Sequence, residues 1–286
     1  MIREQQPAVS LLAIGLIGLG VLSVVYRDFA YTWQPVPAFH PGREALAVVS
    51  GSFMIAVSVA LLFRATAAIA TRSLFLFLLA WLCLKIPLLI VAPRHEAVWL
   101  GFGEIAMLFA GGWVLFAQLS GLDDSAFFRH ITGEKGIRLA RILFGLALIP
   151  VGLSHIVYVE VTAKLVPSWM PFRVGLAYLT GIGQMACGLG ILFSVLPRAA
   201  AFIETGMLAL FAFLVWGPNK WVVSTPDGTH AVSRFGLTAF FITWVIGASA
   251  LLIANNIASN KVRLPQLGQS RKEHAETMSR TTISIR

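Results

Sequence analysis

The sequence predicts an all-α polytopic membrane protein whose eight transmembrane helices form two tandem four-helix bundles. Three observations carry that prediction. The 286 residues are 57% hydrophobic and only 12% charged, eight apolar stretches are each long enough to cross a bilayer, and the second half repeats part of the first. A soluble domain carries about 25% charged residues, largely to wet its surface. The deficit therefore excludes a cytosolic enzyme, a disordered regulator and a nucleic-acid binder built on a basic domain. The net charge of +9 is read instead as loops and a tail facing an anionic leaflet.

A spanning helix needs about 20 mainly apolar residues, and the spans read as 8–26, 44–63, 73–92, 98–119, 139–158, 174–196, 199–217 and 234–255. The first is predicted to stay as a helix, because MIREQQ supplies one arginine and bulky YRDFAYTWQP follows where a cleaved signal would show small residues. Arg64, Arg94, Arg198 and Arg234 mark edges where the chain meets water, since a cation at mid-bilayer is costly and one at the interface can snorkel. Residues 1–119 thus make a first membrane unit, 120–138 a cytoplasmic linker, 139–255 a second unit and 256–286 a disordered basic tail. Counting alternate loops, with Arg141 and Arg234 at the span edges counted with their neighbouring loops, gives 14 Lys and Arg on the side of the termini against 7 on the other, with Lys85 left inside the third span. Both termini are therefore expected in the cytoplasm, and the protein in a bacterial inner (plasma) membrane.

Shifting the chain by 130 residues lays VPAFHPGREALAVVSGSFMIAVSVALLF (36–63) over VPSWMPFRVGLAYLTGIGQMACGLGILF (166–193) without a gap, and ten of 28 positions are identical, among them two prolines and an arginine. Each half then reads as one four-helix unit, and an even number of helices per unit gives a parallel repeat about an axis along the membrane normal. Each unit enters its second helix through a Pro-rich aromatic loop, WQPVPAFHPGR or KLVPSWMPFR. The prolines remove donors and keep the chain extended, so each loop is expected across the outer mouth, with Trp33 or Trp169 at headgroup level. Such a loop is an interfacial plug or a lid that contacts substrate. In the helices that follow, Ala47, Gly51, Met54 and Ser58 match Ala177, Gly181, Gln184 and Gly188. A stripe of small residues lets backbones approach closely, which is how helices associate where lipid gives no hydrophobic drive. Gln184 departs from the stripe, because a buried amide needs partners.

Titratable groups inside hydrocarbon are the functional candidates a membrane sequence offers. Lys85, beside Pro87, and Glu104 both fall in the outer half of their spans, where a buried ion pair across two helices is expected. His155 occupies the last turn of the fifth span; it is either a satisfied structural histidine or a proton-exchanging or ligand-binding one. Trp169, Arg173 and Gln184 are the accompanying ligand-binding candidates. Glu204 is read on the cytoplasmic side, away from His155. No metal site is expected: His40, His95, His155 and His230 gather on the outer side, yet none shows HxH, HxxxH or HExxH spacing. Cys83 and Cys187 are far apart and suggest neither a disulfide nor a dithiol centre.

Residues 141–193, RILFGLALIPVGLSHIVYVEVTAKLVPSWMPFRVGLAYLTGIGQMACGLGILF, resemble the DoxX-like family of small four-helix membrane proteins. The likeness lies in the arginine that opens the helix, the Gly152-x-x-His155 end, the Val-Pro…Pro loop and the Gly-rich helix. It extends over about 110 residues of the C-terminal half and is weaker in the N-terminal half, where Val24 or Val25 stands in place of His155. The resemblance implies a four-helix fold and a quinone-linked redox setting with quinone as the cofactor. Three classes remain open on the sequence: a membrane subunit of a quinone-linked redox system, a non-catalytic accessory or assembly protein that binds a membrane or redox partner, and a small-solute or lipid carrier.

Overall fold

The computed structural model describes residues 6–30, 33–122, 125, 127–225 and 229–257. Its helices are α1 Gln6–Tyr26, α2 Arg43–Leu61, α3 Ala67–Val91, α4 Glu96–Leu119, α5 Gly133–Val157, the short α6 Val159–Leu165, α7 Arg173–Leu192, α8 Pro197–Leu210 and α9 Arg234–Asn256. A π-helical turn, Phe211–Val215, prolongs α8, and a small hairpin, β1 Val222–Ser224 with β2 His230–Val232, precedes α9. All of these helices except α6 are long and apolar enough to cross a membrane, α8 counted together with its π turn. The protein is therefore an integral membrane protein with eight candidate spans among the described residues.

The spans fall where hydropathy puts them, with two corrections. The third begins at Ala67 instead of 73, and the fifth at Gly133 instead of 139, so α5 absorbs the end of the predicted 120–138 linker. In the third span the reason is visible. Arg72, which the expected span left outside, lies within α3, where its Nε and Nη2 both donate to the carbonyl of Ser120 beyond the end of α4, the former at 2.9 Å. A cation that satisfies a helix-end carbonyl is stabilised there and need not end the span. From residue 258 onward, the predicted basic tail lies outside the described residues.

Neighbours in the bundle are set by close backbone approach. In α1 and α2, a Cβ added to Gly51 would stand 2.7 Å from the carbonyl oxygen of Gly20. In α5 and α7, one added to Gly181 would stand 2.6 Å from that of Gly152, and one added to Gly188 2.7 Å from that of Gly145. The predicted stripes face these contacts: Ala47, Gly51, Met54 and Ser58 are buried on α2, as are Ala177, Gly181, Gln184 and Gly188 on α7. Helices α4 and α9 are the most enclosed spans. They cross where Gly111 meets Ser249, with Gln118 hydrogen-bonded to Asn256 toward the same end. Helix α1 packs on α2 and α9, α5 on α4 and α7, α3 on α4, and α8 on α7 and α9. One apolar core runs through both halves, from Leu12, Leu16 and Leu19 through Leu74, Leu78 and Leu108 to Phe144, Leu148 and Val245. Meanwhile Val49, Leu76, Leu179, Ile182 and Ile203 are exposed, forming apolar outer faces that a bilayer would cover.

The two mouth loops differ. Trp33 is fully buried, edge-on to Trp81 at 6.2 Å, with Trp81 against Phe29 at 5.5 Å. Gln34 is buried beside it, accepting from the Ala30 amide at 2.7 Å and donating to Ser50 at 3.1 Å. The first loop is thus packed against α2 and α3, with Trp33 enclosed between them. Trp169 is 71% exposed. At the shift of 130 its loop carries Ala163 where the first has Trp33, and that stretch is wound into α6. The residue before each following helix is left-handed: Gly42 (φ 71°) and Phe172 (φ 53°). Glycine tolerates that conformation freely, whereas a bulky side chain there is strained.

One ionic cluster ties the first half to the last helix. Asp28 bridges Arg43 at the start of α2 (2.5 Å) and Arg234 at the start of α9 (2.7 Å), and Arg234 also donates to the Phe29 carbonyl. Burial pushes the Asp28 carboxyl up, but the Arg234 hydrogen bond, the Phe29 amide, the Arg234 charge and the Arg43 hydrogen bond outweigh it and hold it below its ordinary value. A depressed acid stabilises the fold above its unfolded-state value, and that contribution is lost as pH falls through the folded-state value.

Two predictions follow from the packing and this cluster. Gly181→Ala should destabilise the detergent-solubilised protein by about 1–3 kcal/mol through overpacking, read as a lower melting temperature. Gly206→Ala, where a Cβ meets nothing within 4 Å among the described residues, should melt at or slightly above the parent, since alanine favours a helix interior over glycine. For the ionic cluster, the parent should lose melting temperature as pH falls below about 4. Asp28→Asn should melt lower at neutral pH and lack that acid-dependent component; parallel pH curves would show that Asp28 does not stabilise the fold.

Candidate functional site

Polar side chains gather inside the second half, on the faces of α5, α7 and α8 that pack together. Gly152 and Gly181 bring α5 and α7 close enough for His155, one turn after Gly152, to reach α7. Its Nδ1 lies 3.0 Å from Thr180 Oγ1. The Thr180 hydroxyl is directed at the carbonyls of Leu176 (2.9 Å) and Ala177 (3.1 Å), so Nδ1–H is the donor to Thr180, and Nε2 is left as an acceptor. The imidazole faces the Phe211 ring at 5.6 Å, 32° from parallel. Phe211 opens the π-helical turn, a local widening that recurs at functional sites because it re-aims the side chains that follow.

One turn beyond Thr180 stands Gln184. Its Nε2 donates to Glu204 Oε1 on α8 at 3.1 Å, with both residues at most 1% exposed. Gln184 Oε1 and Glu204 Oε2 are buried without a hydrogen-bond partner among the described residues. Cys187, also buried, is within electrostatic reach of Glu204. The partner of Gln184 is thus the carboxyl that the sequence had placed apart on the cytoplasmic side, while His155 takes Thr180.

The matching positions of the first half carry no titratable group. At the shift of 130, Gln184 matches Met54 and Glu204 matches Leu74, both fully buried. Ser23 stands where the second half has His155, since a Cβ on Gly51 would meet Ser23 Cβ at 2.8 Å as one on Gly181 would meet His155 Cβ at 2.8 Å. That replaces Val24 or Val25 as the match. The error arose because the shift changes from 130 to 132 between the helix pair, a difference absorbed in the connecting loop and invisible without the crossing.

Trp169 and Arg173 are exposed at the approach to α7. Among the described residues, no hydrogen bond or ring contact joins them to His155 or Gln184. Arg173 nevertheless heads the row Arg173, Ala177, Thr180, Gln184 on one side of α7. An open groove of about 970 Å³ lies outside the first half, lined by Val24, Arg27, His40, Arg43 and Glu44 among others. Among the described residues, no group of three or more His, Cys, Asp or Glu side chains could hold a metal ion.

Lys85 is buried on α3, one turn beyond Trp81, and the charge of Glu104 on α4 acts on it. If each charge compensates the other, Lys85→Met or Glu104→Gln alone should cost roughly 3–5 kcal/mol, and the double variant should recover much of that. Thermal unfolding of the three variants in detergent decides the point, and additive losses would show that the charges do not compensate one another.

A family model described as a domain of unknown function (DUF8561) matches residues 144–249, a stretch that takes in His155, Thr180, Gln184, Glu204 and most of α9. No curated protein and no solved structure matches the chain. The chain is similar to that domain over most of its second half, which holds His155, Gln184 and Glu204.

Proposed function

We propose that the chain is a membrane subunit of a quinone-linked redox system, built of two four-helix units related by an axis along the membrane normal, with the second unit doing the work. One observation carries the reading. The interior of the second half holds an imidazole, an amide and a carboxyl on facing helices, where matching positions of the first hold Ser23, Met54 and Leu74. Ionisable groups inside a membrane bundle are expensive and mark ligand or proton pathways. A quinone headgroup needs such groups: a donor or acceptor for each oxygen and a residue that exchanges protons, within apolar walls for the isoprenoid tail. His155 Nε2 offers an acceptor, and the Phe211 ring a flat apolar face beside it. The first half, its mouth filled by Trp33 and Gln34, serves as a partner bundle.

The DoxX-like resemblance belongs to this proposal. So do a bacterial plasma membrane location and cytoplasmic termini, supported by the excess of Lys and Arg in the loops on that side. A second reading, an accessory protein that docks a membrane or redox partner, is favoured by the exposed aromatics Trp169 and Phe172 (71% and 86% exposed) at the approach to α7.

The test is extraction of the detergent-purified protein and mass spectrometry of its small molecules. The parent should retain an isoprenoid quinone. His155→Gln, which keeps size and hydrogen bonding but not titration, should melt like the parent and lose most of that quinone. A parent free of quinone, or a His155→Gln protein that melts lower yet keeps it, would overturn the proposal.

A further inference from the structure

We infer that Gln184 and Glu204 form a neutral amide–acid pair in which Glu204 Oε2 carries a proton and donates it to Gln184 Oε1, making the pair an intramembrane proton-binding site. The argument starts from the two oxygens left over. The pair makes one hydrogen bond, Nε2–H to Oε1, and its two remaining polar oxygens are both buried without a partner. Two orphaned oxygens on facing side chains, each of which costs free energy in hydrocarbon, need one common explanation.

A primary amide and a carboxylic acid are complementary. Each presents one donor and one acceptor side by side, so the two close a ring with two parallel hydrogen bonds. The first is present, and the atoms that would make the second are the two orphans. A single proton taken up by Oε2 therefore satisfies both oxygens and removes a net charge from the bundle, with no further donor or acceptor group needed. With the proton gone, Oε2 and Gln184 Oε1 are two acceptors facing each other across the α7–α8 contact, and the pair is pushed apart. Binding and release of a proton is thereby coupled to the fit of α8 on α7.

The surroundings leave few competitors for that proton. Helix α7 brings one titratable group, Cys187, within reach of Glu204. Helix α9 carries none between Phe235 and Asn256, and α8 with its π turn has only Arg198, near its start and stacked over Phe202. His155 is bonded to Thr180 rather than to the pair. The matching apolar positions, Met54 and Leu74, show that this kind of helix contact does not need a polar pair to hold together.

The inference rests on the proposed function only in treating the second half as the working half, and its test uses the full-length protein with quinone removed. Infrared spectra at neutral pH should contain a carbonyl band of a protonated, hydrogen-bonded carboxylic acid. The band should be lost in Glu204→Gln and shifted to higher frequency in Gln184→Met, where the acid loses its acceptor. Should Glu204→Gln fail to fold, the double variant Gln184→Met/Glu204→Leu, which carries the residues of the first half, supplies the same subtraction. An unchanged acid-carbonyl region on removing the Glu204 carboxyl would show that it is ionised and overturn the inference. A band that stays in place in Gln184→Met would show that the amide is not its partner and overturn it equally. Neither outcome depends on whether a quinone binds.

Discussion

Close contact between glycine backbones governs what the rest of this molecule can do. Inside a bilayer the lipid tails are as apolar as leucine, so helices gain nothing merely by hiding side chains from their surroundings; they associate by van der Waals contact and by polar groups that find each other. At Gly20–Gly51 and Gly152–Gly181 the backbones come so near that even a methyl group would collide with a carbonyl oxygen. That proximity lets His155 on α5 reach Thr180 on α7 and fixes α7 so that Gln184 faces α8. A bulkier crossing would move these side chains out of hydrogen-bonding range.

On that scaffold the two halves are finished differently. The first fills its interior with its own loop and with Met54 and Leu74; its charges are the Asp28–Arg43–Arg234 cluster that anchors α9, and Lys85 with Glu104 inside α3 and α4. The second winds the matching stretch into α6, leaves Trp169 outside, and holds its polar groups between the helices. A polar pair in hydrocarbon must be fully satisfied to be tolerated. The leftover oxygens of Gln184 and Glu204 therefore say more about the site than its hydrogen bond does. They point to a proton.

Most of this fold was legible in the sequence because hydrocarbon imposes a length and a composition that apolar stretches report directly. All eight spans were located that way, and the stripes on α2 and α7 follow from small residues at helical spacing. The shift at Ala67 was not legible, because a cation reads as lying outside a span until its distant partner is known, as with Arg72 and Ser120. The hairpin before α9 had a signal in VVSTPDGTHAV, where Pro-Asp-Gly follows β-branched residues, but hydropathy windows pass over it. The candidate site was half legible. His155 stood out as a histidine in a span, and Gln184 as a departure from its stripe. Glu204 was set apart from His155 but not joined to Gln184, although extending the shift of 130 by one helix pairs it with Leu74 just as Gln184 pairs with Met54. Thr180 and Phe211 were missed because a lone threonine or phenylalanine in a span carries no signal until a neighbour faces it.

The central claim is that the polar pair is an addition to a contact that apolar residues can hold by themselves. Its most direct test is the thermal stability of Gln184→Met/Glu204→Leu in detergent. Replacing a buried polar pair by well-fitting apolar side chains is often neutral or stabilising by about 1–4 kcal/mol, and these residues are the ones the first half uses. The account predicts a folded protein that melts at or above the parent's temperature. A marked fall, with loss of helical signal, would show that the pair holds α7 and α8 together and would contradict it.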